Sequence, residues 1–285
     1  MGRPARLPYA SRAMASMEPQ ELAGGELRLD FPAEAVARLT LDNRAKRNPL
    51  SHAVLDAIAE VLPRLDHGID VRCVVFTGSG SAFSAGYDIG AIPDESFERD
   101  AEALVAHPFH AAMEAISAHP YPVLAAINGH CLGGGLELAV RCDLRLCAAE
   151  AKLGMPPAKL GLIYGHTGLE QFIDCIGIPR TKELFLTGRV LGGERAAEIG
   201  LVHEVHPAAE IEAQSLELAS AIAANAPISM TGNKRVIETL ARFPRLSPKQ
   251  AEELVELRRS CFSSEDFREG VRAFAEKRAP VWRGR

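Results

Sequence analysis

The chain has 285 residues, enough for one large domain with an appendage, and a chain this long buries a core without help from disulfides or metals. Apolar residues make up 47% and charged residues 24%, an ordinary globular composition that excludes disorder over most of the length. A net charge of −5 and an isoelectric point near 6.0 argue against a general nucleic-acid binder, which needs a basic face.

Six cysteines occur, with no C-x-x-C pair and no zinc-like spacing to histidine. Most lie in apolar runs and read as buried, reduced thiols, so no metal site is expected. No run of 18 or more apolar residues is present, which argues against a transmembrane helix. The first 17 residues carry Arg3, Arg6 and Arg12 without an apolar stretch, so they do not form a secretory signal. A cytoplasmic protein is expected, with residues 1–22 outside the fold as a disordered or artificial N-terminus.

Short apolar runs between Leu27 and Leu41, interrupted at Pro32, predict a hairpin. A polar, basic loop follows at 42–49. Val54, Leu55, Ile58, Val61, Leu62 and Leu65 then recur at helical spacing behind Ser51, a good N-cap. Cys73-Val-Val-Phe-Thr77 reads as a short buried strand, and the stretch 78–86 after it is rich in glycine and serine. A helical segment at about 97–118 leads to a strand at 123–127 and to Asn128-Gly-His-Cys-Leu-Gly-Gly-Gly135. A helix is expected to start in that glycine run and to carry Glu137, and residues 144–148 again look like a strand. Strands cease after about Val205, and helices are predicted at about 208–224, 227–241, 247–261 and 264–276. Ser247-Pro-Lys-Gln250 has capping-box form at the start of the third. Alternating strands and helices make the fold class α/β, with a core over 23–205 and a helical region over 206–285.

Two glycine-containing stretches each follow a predicted strand: Ala82-Phe-Ser-Ala-Gly-Tyr-Asp88 and Leu132-Gly-Gly-Gly-Leu-Glu137. Glycine permits positive φ and close approach of a ligand, and a helix start leaves N–H groups without intrahelical partners. Both stretches therefore suit an oxyanion, although each alone is more readily a tight turn. Gly78-Ser-Gly80 lacks the third glycine of a dinucleotide fingerprint, and no P-loop sequence occurs. Ala82-Phe-Ser-Ala-Gly86 approximates a nucleophile elbow around Ser84, a weak alternative hydrolase reading. His203 and His206 sit in a strand-like stretch and read as structural.

Taken together, five ordered segments resemble the enoyl-CoA hydratase/isomerase (crotonase) family. They are Arg47-Asn-Pro-Leu-Ser51, Phe83-Ser-Ala-Gly-Tyr-Asp-Ile89, Ile127 through Glu137, Gly154-Met-Pro-Pro-Ala-Lys-Leu-Gly161 and Glu269 through Arg278. The resemblance covers the chain from about Leu27 onward. It implies a crotonase-like spiral of ββα repeats with a C-terminal helical trimerisation region, assembled as a homotrimer or a dimer of trimers. It also implies an acyl-CoA substrate, so that coenzyme A arrives as part of the substrate and no separate cofactor is needed. Nucleic acid and membrane are not expected partners. By motif, the backbone N–H groups of Tyr87 and Gly134 polarise the thioester carbonyl, and side-chain identity at position 87 is permissive. Lys46, Arg47, Ala85, Asp88 and Ile89 are implied in CoA binding, while Phe274 and Lys277 match positions that approach a neighbour's CoA.

Hydratases of the family use two glutamates. The first aligns with Glu137, but the second aligns with Pro157, which can neither give nor take a proton. General acid–base help is worth about 10²–10⁴ in rate, so ordinary hydration is in doubt. Within the family the segments 83–89, 157–164 and 264–270 are similar to methylmalonyl-CoA decarboxylases, which also lack that glutamate and carry a tyrosine where Tyr164 stands. Such enzymes have histidine where this chain has Tyr87. The implied activity is a lyase that stabilises a thioester enolate, by decarboxylation of a short malonyl-type CoA or by hydration of an enoyl-CoA. Glu137 and Tyr164 are its candidate catalytic residues, and His166 is a further candidate proton donor. Isomerase action and a non-catalytic CoA-binding scaffold are the alternatives.

Overall fold

Among the described residues the strands form a seven-stranded sheet, a four-stranded sheet and a two-stranded pair, and their connections place the glycine stretches side by side. The computed structural model describes residues 18–65, 71–88, 108–225, 227–241, 252 and 265–278. Its strands are β1 Gln20–Leu22, β2 Leu27–Ala33, β3 Val36–Leu41, β4 Pro49–Leu50, β5 Cys73–Gly78, β6 Ala82–Ser84, β7 Gly86–Tyr87, β8 Val123–Ile127, β9 His130–Leu132, β10 Leu144–Ala148, β11 Lys152–Gly154, β12 Val190–Gly192 and β13 Glu204–His206. The described helices are α1 His52–Leu65, α2 His110–Ala118, α3 Gly134–Arg141, α4 His166–Thr187, α5 Gly193–Glu198, α6 Ile211–Ala223, α7 Pro227–Ala241 and α8 Glu265–Ala275.

The larger sheet has the order β1-β2-β3-β5-β8-β10-β13. Residues 20–22, expected outside the fold, form β1 and pair antiparallel with β2. The predicted hairpin is β2 and β3, also antiparallel, and from β3 onward every neighbour is parallel. The smaller sheet has the order β12-β11-β9-β6. Each of β5, β8 and β10 is followed at once by a strand of the smaller sheet, β6, β9 and β11 in turn. The chain thus advances one strand in both sheets per repeat, the spiral of ββα units that the resemblance implies.

Burial on both faces explains why the parallel strands are continuous apolar runs. Val74 and Phe76 point into the main core with α1, α2 and α3, while Cys73 and Val75 face α6 through Ile211, Ala219 and Ile222. Cys131, Cys142 and Cys147 are also buried and free, and burial pushes the Cys73, Cys142 and Cys147 thiols up to about 12. Ser51 caps α1 as expected, its Oγ accepting the Val54 N–H at 3.3 Å.

Two differences from the sequence reading concern helices. The helix expected from about 97 is seen as α2 from His110, residues 89–107 lying outside the described part. The helix expected at 247–261, with its capping box, also lies outside it. The region 150–200 holds α4, α5, β11 and β12, which periodicity alone did not delimit. Helix α4 breaks at Gly177, where φ is +72°, and Pro179 follows. Among the described residues no helix is long and apolar enough to cross a membrane.

Candidate active site

Strands β4 and β7 pair in parallel, Pro49 against Gly86 and Leu50 against Tyr87. Asn48 anchors that approach: it is buried, its Nδ2 donates to Ala82 O at 2.7 Å and Ser79 O at 3.0 Å, and its Oδ1 accepts the Asn43 N–H at 2.9 Å. Gly86 has φ +93°, and a Cβ there would lie 2.8 Å from Leu132 O and 3.1 Å from Gly134 N. Only glycine fits both the backbone conformation and the contact. The two glycine stretches are therefore in direct contact, with Tyr87 next to Gly134.

Gly134 opens α3, so its N–H lies in the first turn, where no intrahelical carbonyl is available. Glu137, three residues on, faces inward and is only 6% exposed. Tyr164 donates its hydroxyl to Glu137 Oε2. Tyr164 is itself fixed by an edge-on ring contact with Phe185 on α4, centroids 5.4 Å apart. Gly168 on the first turns of α4 makes room for the pair: a Cβ there would lie 2.6 Å from both Glu137 Oε1 and Tyr164 Cε1.

Burial raises the Glu137 carboxyl from 4.5 to about 7, against smaller lowering effects of the Tyr164 hydrogen bond and the Arg141 charge. A carboxyl so placed is an acid and a base of comparable strength near neutral pH. Burial and the Glu137 charge push the Tyr164 phenol well above its ordinary range, so it acts as a neutral donor.

The Tyr87 side chain also enters the site. Its phenol bears on Tyr164 electrostatically, and its ring meets Phe109 edge-on with centroids 4.7 Å apart. A buried carboxyl, two tyrosine hydroxyls and the start of a helix thus converge on the seam between the two glycine stretches.

This geometry coincides with a family assignment. The family model for enoyl-CoA hydratase/isomerase matches residues 32–285. The chain belongs to that family. YngF of Bacillus subtilis (strain 168) is 35% identical over 257 residues, covering 88% of this chain and 95% of YngF. The carnitinyl-CoA dehydratase of Escherichia coli (strain K12) is 32% identical over 265 residues, covering 88% of this chain and 96% of the dehydratase. Among solved structures, methylmalonyl-CoA decarboxylase in complex with 2-nitronate-propionyl-CoA superposes with a TM-score of 0.83 at 28% identity, covering 91% of this chain and 99% of that one. The enoyl-CoA hydratase of Bacillus anthracis gives a TM-score of 0.72 at 32% identity, covering 91% of this chain and all 100% of its own.

The remaining residues that the family resemblance selects are more dispersed. Lys46 and Arg47 are exposed, and Lys46 Nζ pairs with Asp88 at 3.2 Å. Arg47 O accepts the N–H of the exposed Ala85 at 2.9 Å, so Lys46, Arg47, Ala85 and Asp88 form one rim. Ile89 lies outside the described residues. Phe274, 71% exposed, and Lys277 sit at the end of α8, away from that rim in sequence and without a described contact to it. Ser84 ends β6, and the chain continues into β7 and not into a helix. It is buried and its Oγ accepts the Gly86 N–H at 3.1 Å, which identifies it as a turn brace in place of an elbow nucleophile. His203 is structural as read: its Nδ1 accepts the Arg145 N–H at 3.1 Å. Pro157 is buried at the head of a 3-10 turn, Pro157–Leu160.

The Tyr87 ring also touches Phe109 and packs on Gly134, contacts that the backbone role implied for position 87 does not require. Gly168 and Phe109 were not anticipated, since neither carries chemistry and each acts by shape. A separate cavity of about 610 Å³ lies between the larger sheet and α6, lined by Arg28, Arg38, Arg44, Glu150 and Glu212 among others. Asp30 and Glu212 already neutralise Arg38 there, and neither Glu137 nor Tyr164 reaches it. Among the described residues no cluster of three or more histidine, cysteine, aspartate or glutamate side chains is arranged to hold a metal.

Proposed function

We propose that this family member binds an acyl-CoA thioester and works through the thioester enolate, with decarboxylation of a short malonyl-type ester as its reaction. The observation that carries the reading is the single buried carboxyl of Glu137, already hydrogen-bonded to Tyr164, combined with a buried proline at position 157. Hydration calls for a second carboxylate to hold and split one water. Decarboxylation does not.

In this reading the N–H groups of Tyr87 and Gly134 receive the thioester oxygen. The bond between the α-carbon and the departing carboxylate breaks, its electron pair moves into the enolate, and CO2 leaves. A proton then returns to the α-carbon, from Glu137 in its protonated form or through the Tyr164 hydroxyl. One proton is consumed for each CO2 released. Removing one donor from an oxyanion site costs about 10²–10³ in rate, so most of the catalysis rests on backbone geometry. Lys46 and Arg47 on the exposed rim suit the phosphates of CoA by charge and hydrogen bonding. Assembly as a trimer, with Phe274 and Lys277 near a neighbour's CoA, belongs to the same proposal, and a monomeric mass in sedimentation would contradict that part.

A second reading is isomerisation or hydration of an enoyl-CoA. The Glu137 pKa of about 7 favours it, because one such carboxyl can remove and return a proton by itself. Mass spectrometry of methylmalonyl-CoA and crotonyl-CoA after incubation with the purified protein separates the two. Loss of CO2 selects decarboxylation. Gain of water on crotonyl-CoA selects hydration. No change in either, together with no α-proton exchange in D2O, selects the scaffold reading.

A further inference from the structure

Catalysis by the backbone N–H of residue 87 makes no demand on its side chain, yet three contacts from separate parts of the chain hold that side chain still. Phe109 meets the ring edge-on at 4.7 Å between centroids, and the phenol end bears on Tyr164. The third contact is the most informative. A Cβ placed on Gly134 would lie 3.1 Å from Tyr87 Cζ and 3.2 Å from Cε1 and Cε2. The hydroxyl-bearing end of the ring is therefore stacked on the α-carbon of the residue whose N–H is assigned to the thioester oxygen.

An acyl group leaves its carbonyl carbon within two bonds of that oxygen. Whatever is stacked on Gly134 therefore meets the first carbons of the acyl chain. A ring so braced cannot rotate away without losing its edge-on contact with Phe109 and its packing on Gly134 together. We infer that the Tyr87 ring is the end wall of the acyl pocket and restricts this protein to short acyl groups, an inference that rests on the acyl-CoA reading above. The ring supplies the bulk of the wall, and its phenol end bears on Tyr164.

The test is equilibrium binding of acetyl-, butyryl-, hexanoyl- and octanoyl-CoA, which carry no malonyl carboxylate to lose, to wild type and to Tyr87→Phe, Tyr87→Leu and Tyr87→Ala. Each methylene that finds an apolar site tightens binding about fourfold. Wild type and Tyr87→Phe are expected to gain nothing beyond butyryl-CoA. Tyr87→Ala is expected to raise the ratio of octanoyl-CoA to acetyl-CoA affinity at least tenfold over that of wild type. Tyr87→Leu, which keeps an apolar contact for Phe109, guards against a folding defect in the alanine variant and should fall between. The same chain-length profile in wild type, Leu and Ala variants would remove the wall and leave the acyl-CoA reading standing. Failure of wild type to bind any of the four esters would overturn both.

Discussion

Tyr164 donates its hydroxyl hydrogen to the carboxylate of Glu137, across 27 residues of chain. The contact sets two opposing effects on one carboxyl. Burial disfavours the charged form, and the phenol stabilises it. Burial is the larger, so the carboxyl settles at about 7, where a proton is held and released with similar ease. A second carboxylate beside it would raise its pKa further by like-charge repulsion. The neutral phenol of Tyr164 on the carboxyl adds no such charge.

The Glu137 shift has a consequence for folding. Its carboxyl moves from 4.5 to about 7 in the folded chain, so between these values the folded state holds a proton that the unfolded state lacks. The associated stability is complete below about pH 4.5 and is lost as pH rises through 7. A shift of this size corresponds to about 3 kcal/mol at 1.36 kcal/mol per unit. Glu137→Gln keeps an acceptor for Tyr164 and cannot ionise. Urea unfolding should show the glutamine variant gaining on wild type from pH 5 to pH 8, by roughly 3 kcal/mol at the upper end. A constant difference across that range would show that Glu137 titrates elsewhere.

Tyr164→Phe should leave the ring contact with Phe185 in place and delete the hydrogen bond that lowers the Glu137 pKa. The carboxyl should therefore titrate higher than in wild type. The pH profile of turnover on the substrate selected above reports this as an upward shift of the midpoint assigned to Glu137. The rate at the optimum should fall by about 10², the lower end of what a positioned acid–base group contributes. An unmoved midpoint would mean that the phenol does not tune the carboxyl.

Much of the fold is legible in the sequence because its central strands are buried on both faces. Cys73 to Thr77 and Val123 to Ile127 are unbroken apolar or small-residue runs for that reason. Glu137 is legible through its fixed offset from a glycine run at a helix start, and Gly134 through the family resemblance. What escaped depends on contacts between distant segments. Strands β11 and β12 are three residues each, too short for a period to register. The Tyr87 ring meets Gly134, Tyr164 and Phe109, none of them within twenty residues of it, so no local pattern marks it. Gly168 acts by lacking a Cβ against two side chains from other parts of the chain.

That last contact is directly testable. Gly168→Ala would put a methyl 2.6 Å from Glu137 Oε1 and from Tyr164 Cε1, an overpacking that costs about 1–3 kcal/mol where the surroundings yield. Yielding here means separating the Glu137–Tyr164 pair, so activity should fall more than stability does. Gly232→Ala on α7 is the matched control, because among the described residues nothing lies within 4 Å of a Cβ there. It should stabilise the chain by about 0.5–1 kcal/mol through helix propensity. Equal effects on turnover in both variants would refute a site role for Gly168.

Asn48 links the basic rim to the turn at Ser79 and the start of β6, and its substitutions separate two contributions. It is 1% exposed and has φ +55°, a conformation that asparagine tolerates better than most residues. Asn48→Gly relieves the backbone but leaves the Ser79 and Ala82 carbonyls without their side-chain donor, at a cost of about 1–3 kcal/mol. Asn48→Ala loses the same bonds and adds the strain of a left-handed alanine, about 1 kcal/mol more. Asn48→Asp should be the worst of the three, because an acceptor-only carboxylate would face those carbonyls with no water to screen them. Urea unfolding should therefore rank stability as wild type, then Gly, then Ala, then Asp. Butyryl-CoA affinity should weaken in the Gly variant even where folding is intact, since Arg47 and β4 lose the brace that holds them against Ala85 and β7. An Asp variant as stable as wild type would mean that Asn48 fills space without bracing the turn.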